Sequence, residues 1–213
     1  MDADAVEIRV LGCLVEKQRT TPDAYPLSLN ALRLACNQST NRDPVVDYDE
    51  SIIRSALERL SRKGWTRLAS GAGSRAAKYR HLFDQAVGVS PAELSLLSVL
   101  MLRGPQTPGE LKQRAERMHP FRSLAEIEEV LAGLIERELV ARAARRPGQK
   151  EERYSQLLGV GATTESHAAP GPASDDDRFS ELDRRVAALE TDLASLRGEL
   201  GAQQPRERGQ AEA

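Results

Sequence analysis

Eight cationic side chains, Arg54, Arg59, Arg62, Lys63, Arg67, Arg75, Lys78 and Arg80, crowd the span 54–80, which holds a single acid, Glu58. Guanidinium and ammonium groups at this density suit phosphate oxygens, which a DNA duplex presents at about one charge per 1.7 Å of its axis. The chemistry they point to is electrostatic binding, not bond-making. Ser51 and Ser55 lie beside them and are short enough to approach base edges in a groove. A second polar constellation precedes this one, Ala35-Cys36-Asn37-Gln38-Ser39-Thr40-Asn41-Arg42-Asp43-Pro44, dense in amides and hydroxyls. Such residues bond backbone groups in turns or bond a ligand. Two readings stand: a loop held by its own side chains, or a recognition loop presenting Asn37, Gln38, Asn41 and Arg42.

Bond-making chemistry finds little support. The chain has neither a GxGxxG nor a P-loop phosphate cradle, and no Gly-x-Ser-x-Gly elbow. The histidines, His81, His119 and His167, stand far from one another and from the cysteines, which excludes the usual spacing of a zinc site. Cys13, in an apolar run, and Cys36, in a helix-like segment, read as small buried hydrophobes before they read as a redox pair. The expectation is a non-enzyme with no cofactor and no metal.

Those basic residues belong to a chain of 213 residues with 40% hydrophobic and 29% charged residues, enough to fold as one or two domains. Aromatics make up only 4%, too few for a platform that stacks single-stranded bases. No apolar run reaches the length of a membrane span, and the start, Met-Asp-Ala-Asp, is not a signal peptide. The expected location is cytoplasmic, with no membrane partner. The net charge of −2 is unevenly spread: residues 1–88 are net +2, 89–160 net +1, and 161–213 net −5.

The elements that must position the basic span come as a repeat. Val6–Pro22 aligns without gaps on Ala92–Pro108 at an offset of 86, with Thr-Pro closing both copies. Leu57 and Leu60 match Leu131 and Leu134 at an offset of 74, and Tyr79 matches Tyr154 at 75. The first copy is therefore about a dozen residues longer in its middle. In the second copy Ser90-Pro91-Ala92-Glu93, Thr107-Pro108-Gly109-Glu110 and Ser123-Leu124-Ala125-Glu126 each have the pattern of a helix-opening capping box. Apolar runs then flank Arg145-Arg146-Pro147-Gly148-Gln149-Lys150 as a hairpin. The first copy repeats the order, with helices over about 4–18, 28–37 and 49–63 and a hairpin around the glycine-rich stretch 70–75. Three helices and a hairpin are the winged-helix order.

The expected fold is mainly α with small β-hairpins (α+β), as tandem winged-helix domains at 1–88 and 89–160. A flexible linker over 161–177, a coiled-coil helix over 178–200 and a disordered tail over 201–213 should follow. The coiled coil is read from Phe179, Leu182, Val186, Leu189, Leu193, Leu196 and Leu200, spaced alternately by three and four residues. In a parallel dimer Arg185 would face Glu190, and Asp192 would face Arg197. Leu182, Val186, Leu189, Leu193 and Leu196 are the expected oligomerisation seam of a homodimer; the competing reading is a lone amphipathic helix docked on its own chain.

The run Leu11-Gly-Cys-Leu-Val-Glu-Lys17, then Tyr25-Pro-Leu-Ser-Leu-Asn30, then Ala35-Cys-Asn-Gln-Ser-Thr-Asn-Arg-Asp-Pro44, with Arg103-Gly-Pro-Gln-Thr-Pro-Gly-Glu-Leu111 in the second half, resembles the YceH family of bacterial proteins. The resemblance covers roughly 5–158, leaves 161–213 outside the family core, and implies tandem winged helices in a bacterial, cytosolic protein. It implies neither an activity nor catalytic residues. The functional expectation comes from charge and fold order: double-stranded DNA held by the third helix and wing of the first domain, through the eight basic residues named above. In the second domain the third helix carries Glu126, Glu128, Glu129, Glu136 and Glu138 against Arg137, which repels phosphate. That helix favours the alternative, a protein-interaction adaptor that binds a protein partner and no DNA.

Overall fold

The computed structural model describes residues 2–69, 77–143 and 151–159, all of which belong to one compact unit, Met1–Glu165. The chain opens with α1 (Ala5–Thr20), whose start is a capping box: Asp4 accepts from the Glu7 amide and Glu7 accepts from the Asp4 amide. Ile8, Val10, Leu11, Cys13, Leu14 and Val15 are all buried on it. Apolar groups all round are what a helix enclosed on several sides requires. After one 3-10 turn, Pro22–Ala24, come β1 (Leu27–Ser28) and α2 (Leu29–Cys36), capped by Ser28. Next is α3 (Glu50–Arg62), capped by Asp49, which buries Ile53, Ala56, Leu57 and Leu60 on one face. Gly64, at φ 74°, turns the chain into β2 (Thr66–Leu68), where a side chain would be strained. β3 (Lys78–His81) returns antiparallel, and the short α4 (Phe83–Val87) follows.

The second copy runs α5 (Pro91–Arg103), α6 (Pro108–Ala115), α7 (Leu124–Glu136), β4 (Val140–Ala143) and β5 (Arg153–Gln156). Ser90 and Thr107 form complete capping boxes with Glu93 and Glu110. The third expected box is only half made: Ser123 accepts from the Glu126 amide, but the Glu126 carboxylate turns to the Arg122 amide instead. The architecture is thus mainly helical with small antiparallel strand pairs.

Two small sheets serve the helices. One has the order β1-β3-β2, with Leu27 opposite Tyr79; the other is the β4-β5 pair. Gln106 pairs with Tyr154 in the second copy, by a backbone bond in each direction at 3.0 and 2.8 Å. Tyr79 and Tyr154 are repeat equivalents, so in both copies a residue soon after the first helix meets the same point of the hairpin.

The two copies share one continuous core, built where α1 lies against α5. At the crossing the Ser98 hydroxyl donates to the Gly12 carbonyl at 3.3 Å across 86 residues. That separation is the repeat offset, so equivalent positions of the two copies touch, as they do across a two-fold interface. A Cβ on Gly12 would stand 3.0 Å from the Leu102 side chain, a tight contact that would require Leu102 to give by a few tenths of an ångström.

Candidate nucleic-acid interface

The basic residues expected to act together divide between two faces of α3. Arg54, Ser51, Ser55, Glu58 and Arg62 are exposed on its outward side. Between this side and the β2–β3 hairpin lies a groove of about 230 Å³, lined by Arg54, Leu57, Glu58, Ser61, Thr66, Arg67, Leu68 and Tyr79. Helical spacing places 54, 58 and 61 in one row, and β2 carries Arg67 to the same groove. Among the described residues no carboxylate pairs with Arg54, Arg62 or Arg67. Their charge therefore faces solvent. Arg80 sits opposite Arg67 in the hairpin and is half-buried, while Lys78 is exposed at the start of β3.

Arg59 and Lys63 look the other way. The Arg59 Nη2 pairs with the Asp4 carboxylate at 2.6 Å, and Lys63 Nζ pairs with Glu7 at 2.9 Å and bonds the Asp2 carbonyl at 2.8 Å. Glu7 is almost fully buried, so these cations neutralise a carboxylate that caps α1. Lys63 also lies 5.9 Å from the centre of the Trp65 ring. The two cations fasten α3 to α1 and are not on the groove side. Nothing in the basic run distinguishes them from their neighbours; the acids that claim them are some 55 residues away in the chain. Arg75 lies outside the described residues, as do Arg145, Arg146 and Lys150 of the second hairpin and the whole heptad, Leu182, Val186, Leu189, Leu193 and Leu196 included.

The amide-rich segment resolves toward the first of its two readings. Arg42 is 6% exposed and its guanidinium is saturated: Nε donates to the Ala35 carbonyl, Nη1 to Asn41 O and Glu16, and Nη2 to Glu16 at 2.6 Å and Gln38 at 2.7 Å. The Asn37 amide donates to the Tyr48 carbonyl and accepts from the Tyr48 amide, which sets the approach to the Asp49 cap of α3. Asn41 adopts φ 62°, which asparagine tolerates, and its side-chain oxygen accepts from Arg103. The Asp43 amide donates to the Leu102 carbonyl at 2.9 Å. Of the four residues named as a recognition loop, Arg42 and Asn37 thus spend their side chains on the protein, while Gln38 and Asn41 each give it their amide oxygen. The extra length of the first copy is a clamp that grips α1 through Glu16 and α5 through Leu102 and Arg103.

In the second copy the outward side of α7 exposes Glu128, Glu129 and Glu136 beside Leu124. Arg137 is drawn away to Glu93 at 3.0 Å and to the Val87 carbonyl. Among the described residues no helix is long and apolar enough to cross a membrane, and no cluster of three or more His, Cys, Asp or Glu side chains could hold a metal.

Residues 3–149 match the family described as "Protein of unknown function, DUF480". A UPF0502 protein of Pelobacter propionicus is 49% identical over 201 residues, covering 90% of this chain and 91% of its own. The chain belongs to the DUF480 family. A UPF0502 protein of Shewanella amazonensis is 46% identical, covering 91% of this chain and 96% of its own. One of Serratia proteamaculans is 44% identical, covering 94% of this chain and 95% of its own. The DUF480 match is consistent with the YceH resemblance of the sequence runs quoted above. It stops before the heptad, but an alignment over 94% of the chain has to pass through residues 178–200. That segment is therefore shared in length with full relatives and is not an addition peculiar to this chain.

Proposed function

We propose that this protein is a tandem winged-helix, non-catalytic binder of duplex DNA, of the kind that regulates transcription, and that it grips DNA with α3 and the β2–β3 hairpin. The observation that carries the reading is the groove between them, where Arg54 and Arg67 have no carboxylate partner among the described residues and lie beside a helix exposing Ser51, Ser55 and Arg62. In a helix-turn-helix variant the third helix enters the major groove and the hairpin reaches the backbone. The interface is Arg54, Arg62, Arg67, Lys78 and Arg80, joined by Arg75, which lies between β2 and β3 in the sequence. Arg59 and Lys63 act as fasteners and the segment Asn37–Arg42 as scaffold. The heptads pair two copies so that two α3 helices address one duplex.

The second copy takes a different part. Its α7 exposes carboxylates where α3 exposes cations, which favours a protein partner for that face within the same molecule.

Fluorescence anisotropy of a labelled random-sequence duplex, titrated with the full chain at several salt concentrations, tests the reading. Binding should weaken with a log–log slope of about −0.9 per phosphate contact. Replacing Arg54, Arg62 and Arg67 together by Ala should lower affinity at least tenfold and flatten that slope. No binding at low salt would leave the adaptor reading in its place.

A further inference from the structure

Cys13 and Cys36 look unrelated in the sequence, yet the fold brings them together. Cys13 lies on α1 and Cys36 is the last residue of α2; both are 0% exposed. Both are free, and the fold sets them against each other: Arg9, Cys13 and Glu16 follow one another along one side of α1, where Arg9 bonds the Cys36 carbonyl and Glu16 holds Arg42 on the Ala35 carbonyl.

Two buried guanidiniums bracket the pair. Arg9 lies one turn before Cys13 and is 3% exposed; its Nη1 donates to the Cys36 carbonyl at 3.2 Å and its Nη2 to the Pro44 carbonyl at 2.6 Å. Its Nε has no partner, and among the described residues no carboxylate forms an ion pair with it. Arg42 holds the neighbouring Ala35 carbonyl and is matched by Glu16. The cluster therefore contains two buried cations and one carboxylate. A buried cation without a counter-ion is costly, and a thiolate beside it supplies the missing charge. Burial opposes ionisation of Cys13, but the hydrogen bond from Cys36 and the charges of Arg42 and Arg9 outweigh burial and Glu16, and hold its thiol below the ordinary range. The bond to Cys13, then burial, push Cys36 up, so Cys36 keeps the proton and donates it. The phenol of Tyr48, raised chiefly by burial, adds no charge at neutral pH.

We propose that Cys13 and Cys36 form a redox modification site, a buried cysteine pair flanked by Arg9 and Arg42 that a hydroperoxide converts to an intramolecular disulfide. The Cys13 thiolate attacks a peroxide oxygen; the O–O bond breaks, water or an alcohol leaves, and Cys13 becomes a sulfenic acid. Cys36, losing its proton, attacks that sulfur; the S–S bond forms, the S–O bond breaks, and water leaves. Two electrons pass from the dithiol to the peroxide. Access comes through local opening of α2, a two-turn helix whose outer side is exposed at Asn30 and Leu34. The bridge would join α1 to α2 at the root of the clamp that sets both α5 and the start of α3. None of this depends on what α3 binds.

The test treats the reduced full chain with hydrogen peroxide, quenches in acid, unfolds, alkylates and measures mass before and after a thiol reductant. The expected product is a chain lighter by two hydrogens, with both cysteines protected together, a linked Cys13–Cys36 peptide, and full reversal by the reductant. Its rate should level off at a lower pH than that of an ordinary thiol, which speeds up through a pKa of about 8.5. Arg9→Met should carry the rise of the rate to higher pH, by about one unit for each tenfold change in the thiol's ionisation constant. Thiols that stay alkylatable, separate sulfinic or sulfonic acids, disulfides between chains, or a rate that climbs through the ordinary thiol pKa would each overturn the proposal. The pH profile needs no variant, so a misfolded Arg9→Met protein does not blunt the test.

Discussion

Arg42 shows at the scale of one residue why a charge in a loop need not face a ligand. Its side chain has no solvent exposure, and Glu16, its counter-ion, is 17% exposed. Removing one partner of such a pair leaves the other charge desolvated and unpaired, which costs about 3–5 kcal/mol. Arg42→Ala should lose most of that amount in urea unfolding at constant m-value. Arg59→Ala breaks a half-exposed pair with Asp4 and a longer one, 3.8 Å, with the buried Glu7, which Lys63 still neutralises, so it should cost less than Arg42→Ala. His81 supplies a pH dependence. Burial drives its pKa down to about 4; Arg19 and Arg80 push the same way, and Asp84 opposes them. The folded chain therefore resists a proton that the unfolded chain takes up near pH 6.5. Stability tied to this ring is present above pH 6.5 and is lost as pH falls toward 4, by up to roughly 3 kcal/mol. Unfolding free energies at pH 7 and pH 4.5 should show the drop, and His81→Gln should remove that part of it.

At the scale of elements, the meeting of α1 and α5 rests on a missing side chain. A Cβ at Gly12 already falls 3.0 Å from Leu102 and 3.1 Å from Met101, so a larger group forces the helices apart. Gly12→Leu should cost about 1–3 kcal/mol as overpacking, read as a lower denaturation midpoint. Much of this level was legible in the sequence. The caps at Ser90 and Thr107, the apolar spacing on α3 and α7, and the Gly64 turn are local signals, and the three helices of the first copy begin and end within about two residues of their expected places, whereas the short α4 had no expected counterpart. What was not legible depends on distant partners. The two-residue β1 is too short to carry a pattern and exists through pairing with β3. Periodicity told which side of α3 is buried but not that Asp4 and Glu7 would claim Arg59 and Lys63. The same holds for the amide-rich segment: its composition announced hydrogen bonding, and only the placement of Glu16, Leu102 and Arg103 decided where those bonds go.

For the whole molecule, the shared core makes the two copies one folding unit, while their outward helices differ in charge. On the proposed DNA-binding reading, the contrast between the cations of α3 and the carboxylates of α7 gives a single chain one reading head. Two heads then require two chains. The heptad from Phe179 to Leu200, outside the described residues, is the element suited to bring them together, with Arg185–Glu190 and Asp192–Arg197 as attracting pairs in a parallel arrangement. Deleting residues 178–213 leaves the unit Met1–Glu165 intact. Sedimentation equilibrium should then report twice the chain mass for the full protein and one chain mass for the truncated one. The same deletion should act on duplex binding in a defined way. Each head keeps its own phosphate contacts, so the salt slope should fall to about half, and affinity should drop by the 10²–10⁴-fold that tethering a second site provides. A truncated protein that still sediments as a dimer would move the self-association to the helical unit. A dimer lost without any change in salt slope would mean that only one head ever touches the duplex.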